Sequence, residues 1–167
     1  MAWKVCKRGF IVVGFLLAGC AYSFRSGALP PDVRSITVSP IQNEAAIVIP
    51  TLAQTLAEAL RQKFISQSPL TLTTEKGDLI LHGRITDFKV APVAIQGTQQ
   101  AAQNRLSITV HIRCVSPRHP ELGWEQSFMN FADFPAAQPL AAVQEALISD
   151  ICDRIAQDVV NKTLSFW

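Results

Sequence analysis

The sharpest pattern in the chain is a two-residue alternation. Leu106, Ile108, Val110, Ile112 and Cys114 are apolar, and Arg105, Ser107, Thr109, His111 and Arg113 between them are polar. Successive side chains of a strand point to opposite faces. The run therefore predicts a strand over Arg105–Val115 with one face in a core and the other outside. Residues 116–121, with Pro117 and Pro120, predict a hairpin turn. Leu122 to about Phe131 then returns antiparallel, with Trp124 and Phe128 on one face. Phe131 and Phe134 are read as off that parity, so the strand is expected to bend or end there. Upstream, Leu79 to Val90 predicts a long strand whose imperfect alternation suggests a bulge near Gly83. A short strand over Ser35–Ile41 carries Pro40, which suits an edge or a strand end. Residues 41–50 read as a loop, and Leu70–Thr74 as an extended segment before a turn at Lys76-Gly77-Asp78.

Two segments follow helical spacing instead. From Thr51 to about Gln67, Leu52, Leu56, Ala59, Leu60 and Phe64 share one face, with Thr51 placed to cap. From Pro139 to about Leu164, the apolar stripe is Leu140, Val143, Leu147, Ile148, Ile151, Cys152, Ile155 and Val159. The order is strand, helix, three strands, helix. Each element has one apolar face, and this predicts an α+β fold. It is a two-layer sandwich with two helices packed on one face of a mostly antiparallel four-stranded sheet. The other sheet face is left for solvent, lipid or a partner. The connection Ala94–Asn104 is long for a hairpin, and long loops are often functional. It is expected to be a partner-contact segment.

The amino-terminal stretch changes this picture. Lys4, Lys7 and Arg8 precede an apolar run from Gly9 to Ala18, the layout of a secretory signal. That run is well short of the ~20 residues needed to cross a bilayer as a helix. It ends in Leu16-Leu17-Ala18-Gly19-Cys20, which resembles a bacterial lipobox. Such a motif implies cleavage before Cys20, a diacylglycerol on its thiol, and an acyl chain such as palmitate on the new amine. Two or more acyl chains make anchoring stable, at ~0.8 kcal/mol per buried methylene. Residues 1–19 are thus expected to be a lipoprotein signal peptide, 20–34 the lipidated Cys and a tether, and 35–167 one α+β domain. Ala21 follows the lipidated position, where Asp would retain the protein in the inner membrane of well-studied enteric bacteria. The expected location is the cell outer membrane, lipid-anchored on its periplasmic side.

Removing residues 1–19 from 167 leaves 148, a natural size for one domain. With Lys4, Lys7 and Arg8 gone from the 15 basic residues, 12 face 13 acidic ones. A mature charge near −1 argues against a nucleic-acid partner. Of the 4 cysteines, Cys6 leaves with the signal and Cys20 is the lipidation site. Cys114 and Cys152 fall on apolar stripes and are expected to be core residues. Two buried thiols and a disulfide both remain open at this point.

No catalytic motif stands out: no nucleophile elbow, P-loop or dinucleotide fingerprint. The three histidines lack metal-ligand spacing, and no CxxC is present. Ser107 and His111 share a strand face but stand roughly 13 Å apart at ~3.3 Å per residue, too far for a nucleophile–base pair. The expectation is a protein that is not an enzyme and needs no cofactor. The polar face of the Arg105–Arg113 strand is the candidate contact surface for a barrel interior or for lipid phosphates. Arg105, His111 and Arg113 would point away from the helices, and Arg84 of the preceding strand would join them. The planar guanidinium fork suits phosphate oxygens because it donates two parallel hydrogen bonds.

Taken in order, the lipobox, YSFRSGALPPDVRSITV, PTLAQTLAEALRQKFISQSPL, GDLILHGRITDFKVAPVAIQG, NRLSITVHIRC and WEQSFMNFADF resemble the LptE family in its Bacteroidetes-type form. This is the family of outer-membrane lipopolysaccharide-assembly lipoproteins. The resemblance covers nearly the whole mature chain and rests on order and spacing. It implies a two-helix, four-stranded fold. It also implies a lipoprotein seated in the LptD outer-membrane barrel, contacting lipopolysaccharide and assisting its delivery to the outer leaflet. A lipid-anchored auxiliary subunit of another envelope transport or assembly complex is the alternative. A peripheral enzyme acting on glycan or lipid is a third reading, separable by a hydrolase screen.

Overall fold

The structure, a computed structural model, describes residues 29–93 and 102–164. The strands are β1 (Ser35–Val38), β2 (Gln42–Asn43), β3 (Thr71–Leu72), β4 (Leu79–Val93), β5 (Gln103–Val115) and β6 (Trp124–Pro135). The helices are α1 (Leu52–Gln67) and α2 (Leu140–Leu164). One 6-stranded sheet runs in the order β3-β1-β4-β5-β6, with β2 also paired to β4.

The class is α+β, as expected, but the four-stranded, mostly antiparallel description needs correction. β1 runs parallel to both β3 and β4, and β2 runs parallel to β4. Only the β4–β5 and β5–β6 pairs are antiparallel. The reason lies in the connection: α1 carries the chain back across the sheet, and a helical crossover returns a strand parallel to the one it left. β1 and β2 act as one strand interrupted at Pro40. Ser39 N–H still donates to Leu81 O (2.9 Å) before the break, and Glu44 N–H to Ile85 O (2.9 Å) after it. Proline lacks the donor that would keep the ladder continuous. Part of the segment read as a loop therefore pairs as β2.

The bulge in β4 also lies elsewhere. Register is lost between Ile85 and Asp87, not at Gly83. Leu79, Leu81 and Ile85 are buried before it and Phe88 after it, so parity flips at Thr86. Gly83 has another role. A Cβ there would stand 3.2 Å from Ile112 Cδ1 and 3.3 Å from Ile41 Cγ1, so those two isoleucines occupy the space above it. β6 does not end at Phe131. Trp124, Phe128, Ala132 and Phe134 all face the core. Phe134 shares the parity of Trp124, and only Phe131 turns outward. Trp124 and Phe128 meet edge to face at 5.9 Å.

Both helices cover the same sheet face and pack side by side. Ile108, Val110 and Ile112 of β5 are fully buried beneath them with Phe64 of α1 and Ile151 and Ile155 of α2. Each such side chain contributes about 1.5–3 kcal/mol by leaving water. The expected stripes hold in outline: in α1 Ala57 is buried and Ala59 only half-buried, and in α2 Leu140, Val143 and Leu147 are half-buried while Ala156 and Val160 join the buried face. Thr51 occupies the position before α1, but its hydroxyl makes no cap. α1 ends where Ser68 N–H (3.1 Å) and Oγ–H (2.7 Å) both donate to Phe64 O, one residue before Pro69. Across the helix pair, Gln67 and Gln157 exchange side-chain amide hydrogen bonds (2.8 and 2.6 Å), and Lys63 pairs with Asp153 at 2.9 Å. Cys114 and Cys152 are free and buried, so the disulfide alternative does not hold. Burial pushes both thiols up to about 12.

Candidate functional site

The face of the sheet away from the helices carries the polar half of every alternation. β4 places His82 and Arg84 there before its bulge and Asp87 and Lys89 after it, β5 places Arg105, His111 and Arg113, and β6 places Glu125, Ser127, Met129, Phe131 and Asp133. Register sets the neighbours. His82 lies opposite Arg113, Arg84 opposite His111, Arg113 opposite Glu125, and Arg105 opposite Asp133.

This arrangement gathers three of the four expected contact residues and separates the fourth. Arg84, His111 and Arg113 line a shallow concavity of about 460 Å³ with His82, Gln42, Pro40 and Glu125. Arg105 stands at the far end of β5. Its Nε and Nη2 donate to the two carboxylate oxygens of Asp133 at 2.7 and 2.8 Å, and its guanidinium stacks 3.7 Å above the Phe131 ring. That bidentate bond lowers the Asp133 pKa and raises that of Arg105. The stack shields Phe131, which would otherwise be an open aromatic surface.

Within the concavity one carboxylate serves several cations. His111 Nε2 donates to Glu125 Oε1 at 2.6 Å, and Nδ1 lies 3.1 Å from Ser127 Oγ. Arg113 Nε stands 3.9 Å from Glu125 Oε2. The hydrogen bond from His111 is the main reason that the Glu125 carboxyl sits below its ordinary range, with the charges of Arg113 and Arg84 adding to it. Arg84 leans toward Glu44 at 3.7 Å. Neither arginine is used up. Arg113 is 62% and Arg84 48% exposed, and each guanidinium has five N–H donors. The site can therefore offer several charge-assisted donors to an anion spanning β4 and β5. His82, Gln42 and Glu125 were not singled out in the sequence. His82 shares the parity of Arg84 on β4, and that signal was available. Gln42 arrives through β2, which only the Pro40 break reveals. Among the described residues, no group of three or more His, Cys, Asp or Glu could hold a metal ion.

A second polar cluster ties down the start of the domain. Asp78 Oδ2 accepts from Arg34 N–H (2.9 Å), Ser35 N–H (3.0 Å) and Ser35 Oγ–H (2.8 Å), and Oδ1 accepts from Arg118. Those donors, led by the Arg34 backbone N–H, hold the Asp78 carboxyl down to about 2. Beside it, His119 Nε2 meets Asp32 Oδ2 at 2.7 Å and Nδ1 meets Glu121 Oε1 at 3.1 Å. The His119 pKa is raised, first by Asp32 and then by Glu121; Asp32 is lowered chiefly by the His119 hydrogen bond, and Glu121 first by a backbone hydrogen bond and then by His119. Val33, between these contacts, is buried in the core.

Cys20 and nearly all of the connection after β4 lie outside the described residues. Of the connection's described residues, Gln103 and Asn104 are strand, paired with Val93 and Pro92. Among the described residues, no helix is long and apolar enough to cross a membrane.

The domain is a two-layer α+β fold with both helices on one sheet face and a charged, open face opposite. A minor lipoprotein from Acinetobacter baumannii is 10% identical, with a TM-score of 0.54 over 80% of this chain and 94% of that one. A hypothetical protein from Chlamydia trachomatis is 10% identical, with a TM-score of 0.56 over 80% and 96%. At such identities the likeness is one of fold. No curated protein matches the sequence. The model of the LptE family, lipopolysaccharide-assembly, matches residues 33–163, and the chain belongs to that family.

Proposed function

We propose that this protein is an outer-membrane lipoprotein that pairs with the LptD barrel and assists delivery of lipopolysaccharide to the cell surface. The family match over residues 33–163 supports the lipopolysaccharide-assembly role. The observation that carries the contact surface is the open sheet face, where Arg84, His111 and Arg113 crowd one shallow concavity with a single carboxylate, Glu125, among them. Phosphate groups of lipopolysaccharide, or acidic side chains inside the barrel, would meet the free donors of the two arginines. Arg105 would add a further contact along β5, held rigid by Asp133 and Phe131. Cys20 would carry the lipid anchor. No step of this role requires catalysis or a cofactor.

The test replaces Arg84 and Arg113 with Ala together, after checking that the thermal midpoint is kept. Binding to purified lipopolysaccharide and recovery of the LptD complex from membranes are then measured. A charge-assisted hydrogen bond contributes roughly 1.5–3 kcal/mol, so loss of one should weaken binding about tenfold or more. Wild-type behaviour in both assays would remove this face from the contact surface. Recovery of a different transport complex with the native lipidated protein would favour an auxiliary subunit of another envelope assembly. Globomycin should leave an unprocessed precursor that retains residues 1–19 ahead of Cys20, and normal processing would refute the anchor.

A further inference from the structure

The two edges of the sheet are built differently. One edge is short and broken: β3 spans Thr71–Leu72, and β1 and β2 are interrupted at Pro40. The other edge is β6, twelve residues long and paired to β5 over its whole length. Alternate residues of such a strand direct N–H and C=O groups outward. Among the described residues, no hydrogen bond meets the outward backbone groups from Glu125 to Asp133, and only at the strand's end does Pro135 O accept from Gln138 N–H at 3.0 Å. Natural edge strands are blunted by lysine, proline, bulges or short length. β6 has none of these between Gln126 and Ala132, and Pro135 stands only at its end. Two large apolar side chains also face solvent beside the edge, Met129 at 60% exposure and Phe131 at 37%.

We infer that β6 accepts an added strand from another protein, and that the added strand is basic at both ends and apolar between. Main-chain hydrogen bonds would supply affinity, and alternate side chains would set specificity. Charge decides the occupant. On the outer face Glu125 and Asp133 bracket Ser127, Met129 and Phe131, and β6 contains no basic residue. A second copy pairing antiparallel about Met129 would set Glu125 opposite Asp133 of its mate and bring no basic side chain of β6 to either. Each carboxylate has about four lone-pair sites, of which the contacts with His111, Arg113 and Arg105 fill only part. A lysine or arginine at each end of the incoming strand meets them, and two β-branched residues cover Met129 and Phe131. This inference does not rest on the lipopolysaccharide reading, and it shares only Glu125 with the concavity on β4 and β5.

The probe is a synthetic strand peptide as long as the Glu125–Asp133 span. It carries Lys at both ends, Val at the two positions that would face Met129 and Phe131, and Thr elsewhere. Binding to the mature protein is read by fluorescence anisotropy. Two further peptides carry N-methyl groups on alternate residues, one set on each edge. Saturable binding is expected, with one N-methylated peptide weakened on the order of tenfold or more and the other unaffected, because only one edge makes main-chain hydrogen bonds. Met129→Lys, at an exposed position, should keep the thermal midpoint and lose the peptide about tenfold. Absence of binding, equal loss for both N-methylated peptides, or an unchanged affinity in the Met129→Lys variant would each overturn the inference. A dimer of the protein that Met129→Lys dissolves would overturn it too, in favour of a second copy as the occupant.

Discussion

Asp78→Asn tests how the start of the domain is held. The substitution keeps the side chain's shape but removes its charge and half of its accepting capacity. In the native protein the carboxylate accepts three hydrogen bonds from Arg34 and Ser35 and one from Arg118. These lower its pKa from 3.8 to about 2. At ~1.36 kcal/mol per tenfold change in proton affinity, the ionised carboxylate contributes at most about 2.4 kcal/mol at neutral pH. Its side chain keeps 18% of its surface in water, and screening by that water reduces the figure to about 1–2 kcal/mol. For a domain of this size the thermal midpoint should then fall by about 2–8 °C at pH 7. The sign of the pH dependence follows from the lowered pKa. The contribution is complete above the unfolded value of 3.8 and is lost as pH falls toward 2. The gap between the proteins should shrink by about half near pH 3. Urea unfolding of both proteins at pH 7, 5, 4 and 3 measures it. A gap that stays constant across that range, or no gap at pH 7, would refute the electrostatic account of this junction.

Further consequences concern the neighbouring cluster and the core. His119→Gln should lower the thermal midpoint at pH 5–6 and change it little above pH 8. The raised His119 pKa means that its charge stabilises the fold below about 6.5 and that this is lost as pH rises through the folded value. Differential scanning fluorimetry across pH reads it, and an effect that grows with pH would contradict the pairing with Asp32. Cys114 and Cys152 should alkylate slowly in the native protein and at once in denaturant, since both are buried and pushed up to about 12; rapid native labelling would mean that the faces of β5 and α2 are wrongly assigned. Gly83→Val should destabilise by about 1–3 kcal/mol through overpacking against Ile41 and Ile112, measured by urea unfolding, and a neutral result would show that the space is open.

How much of this was legible in the sequence depended on how local the determining interaction was. β5 was readable because each residue is sorted by one rule, core or solvent, and no neighbour interferes with it. The helices were readable for the same reason, except at Thr51, where a good capping residue makes no cap. β6 was misread by counting: Phe134 sits on the parity of Trp124, and the exposed Phe131 looked like the end of a strand. The β4 bulge was visible as broken alternation but was put at Gly83, because glycine is the usual sign of a kink. The actual sign was the parity change between Ile85 and Phe88. β3 lay inside the Leu70–Thr74 stretch read as extended, but its parallel pairing was not legible, and β2 was read as loop. Each is two residues long, and pairing of that length is imposed by the crossover and by β1, not by its own sequence.

The candidate site shows the same division between what alternation gives and what register gives. Alternation was enough to put Arg105, His111 and Arg113 on one face. It could not show that Arg105 would be satisfied by Asp133 and stacked on Phe131, because that depends on which β6 residue stands opposite. A shift of β6 by one residue would put Asp133 on the helix side and leave Arg105 without its carboxylate. The register that neutralises Arg105 also sets Glu125 between His111 and Arg113. One hairpin register therefore separates the open face into two regions. Toward the end bearing Arg105 the cation is consumed by an ion pair and an aromatic ring. Toward the β4 side, Arg84 and Arg113 stand 3.7 and 3.9 Å from Glu44 and Glu125, loosely enough to keep donors in solvent. An anion approaching this face meets unspent guanidinium donors in the second region, with the exposed Lys89 opposite Ser107 between the two regions, and for that reason Arg84 and Arg113, more than Arg105, are the residues whose loss should be felt by a phosphate-bearing partner.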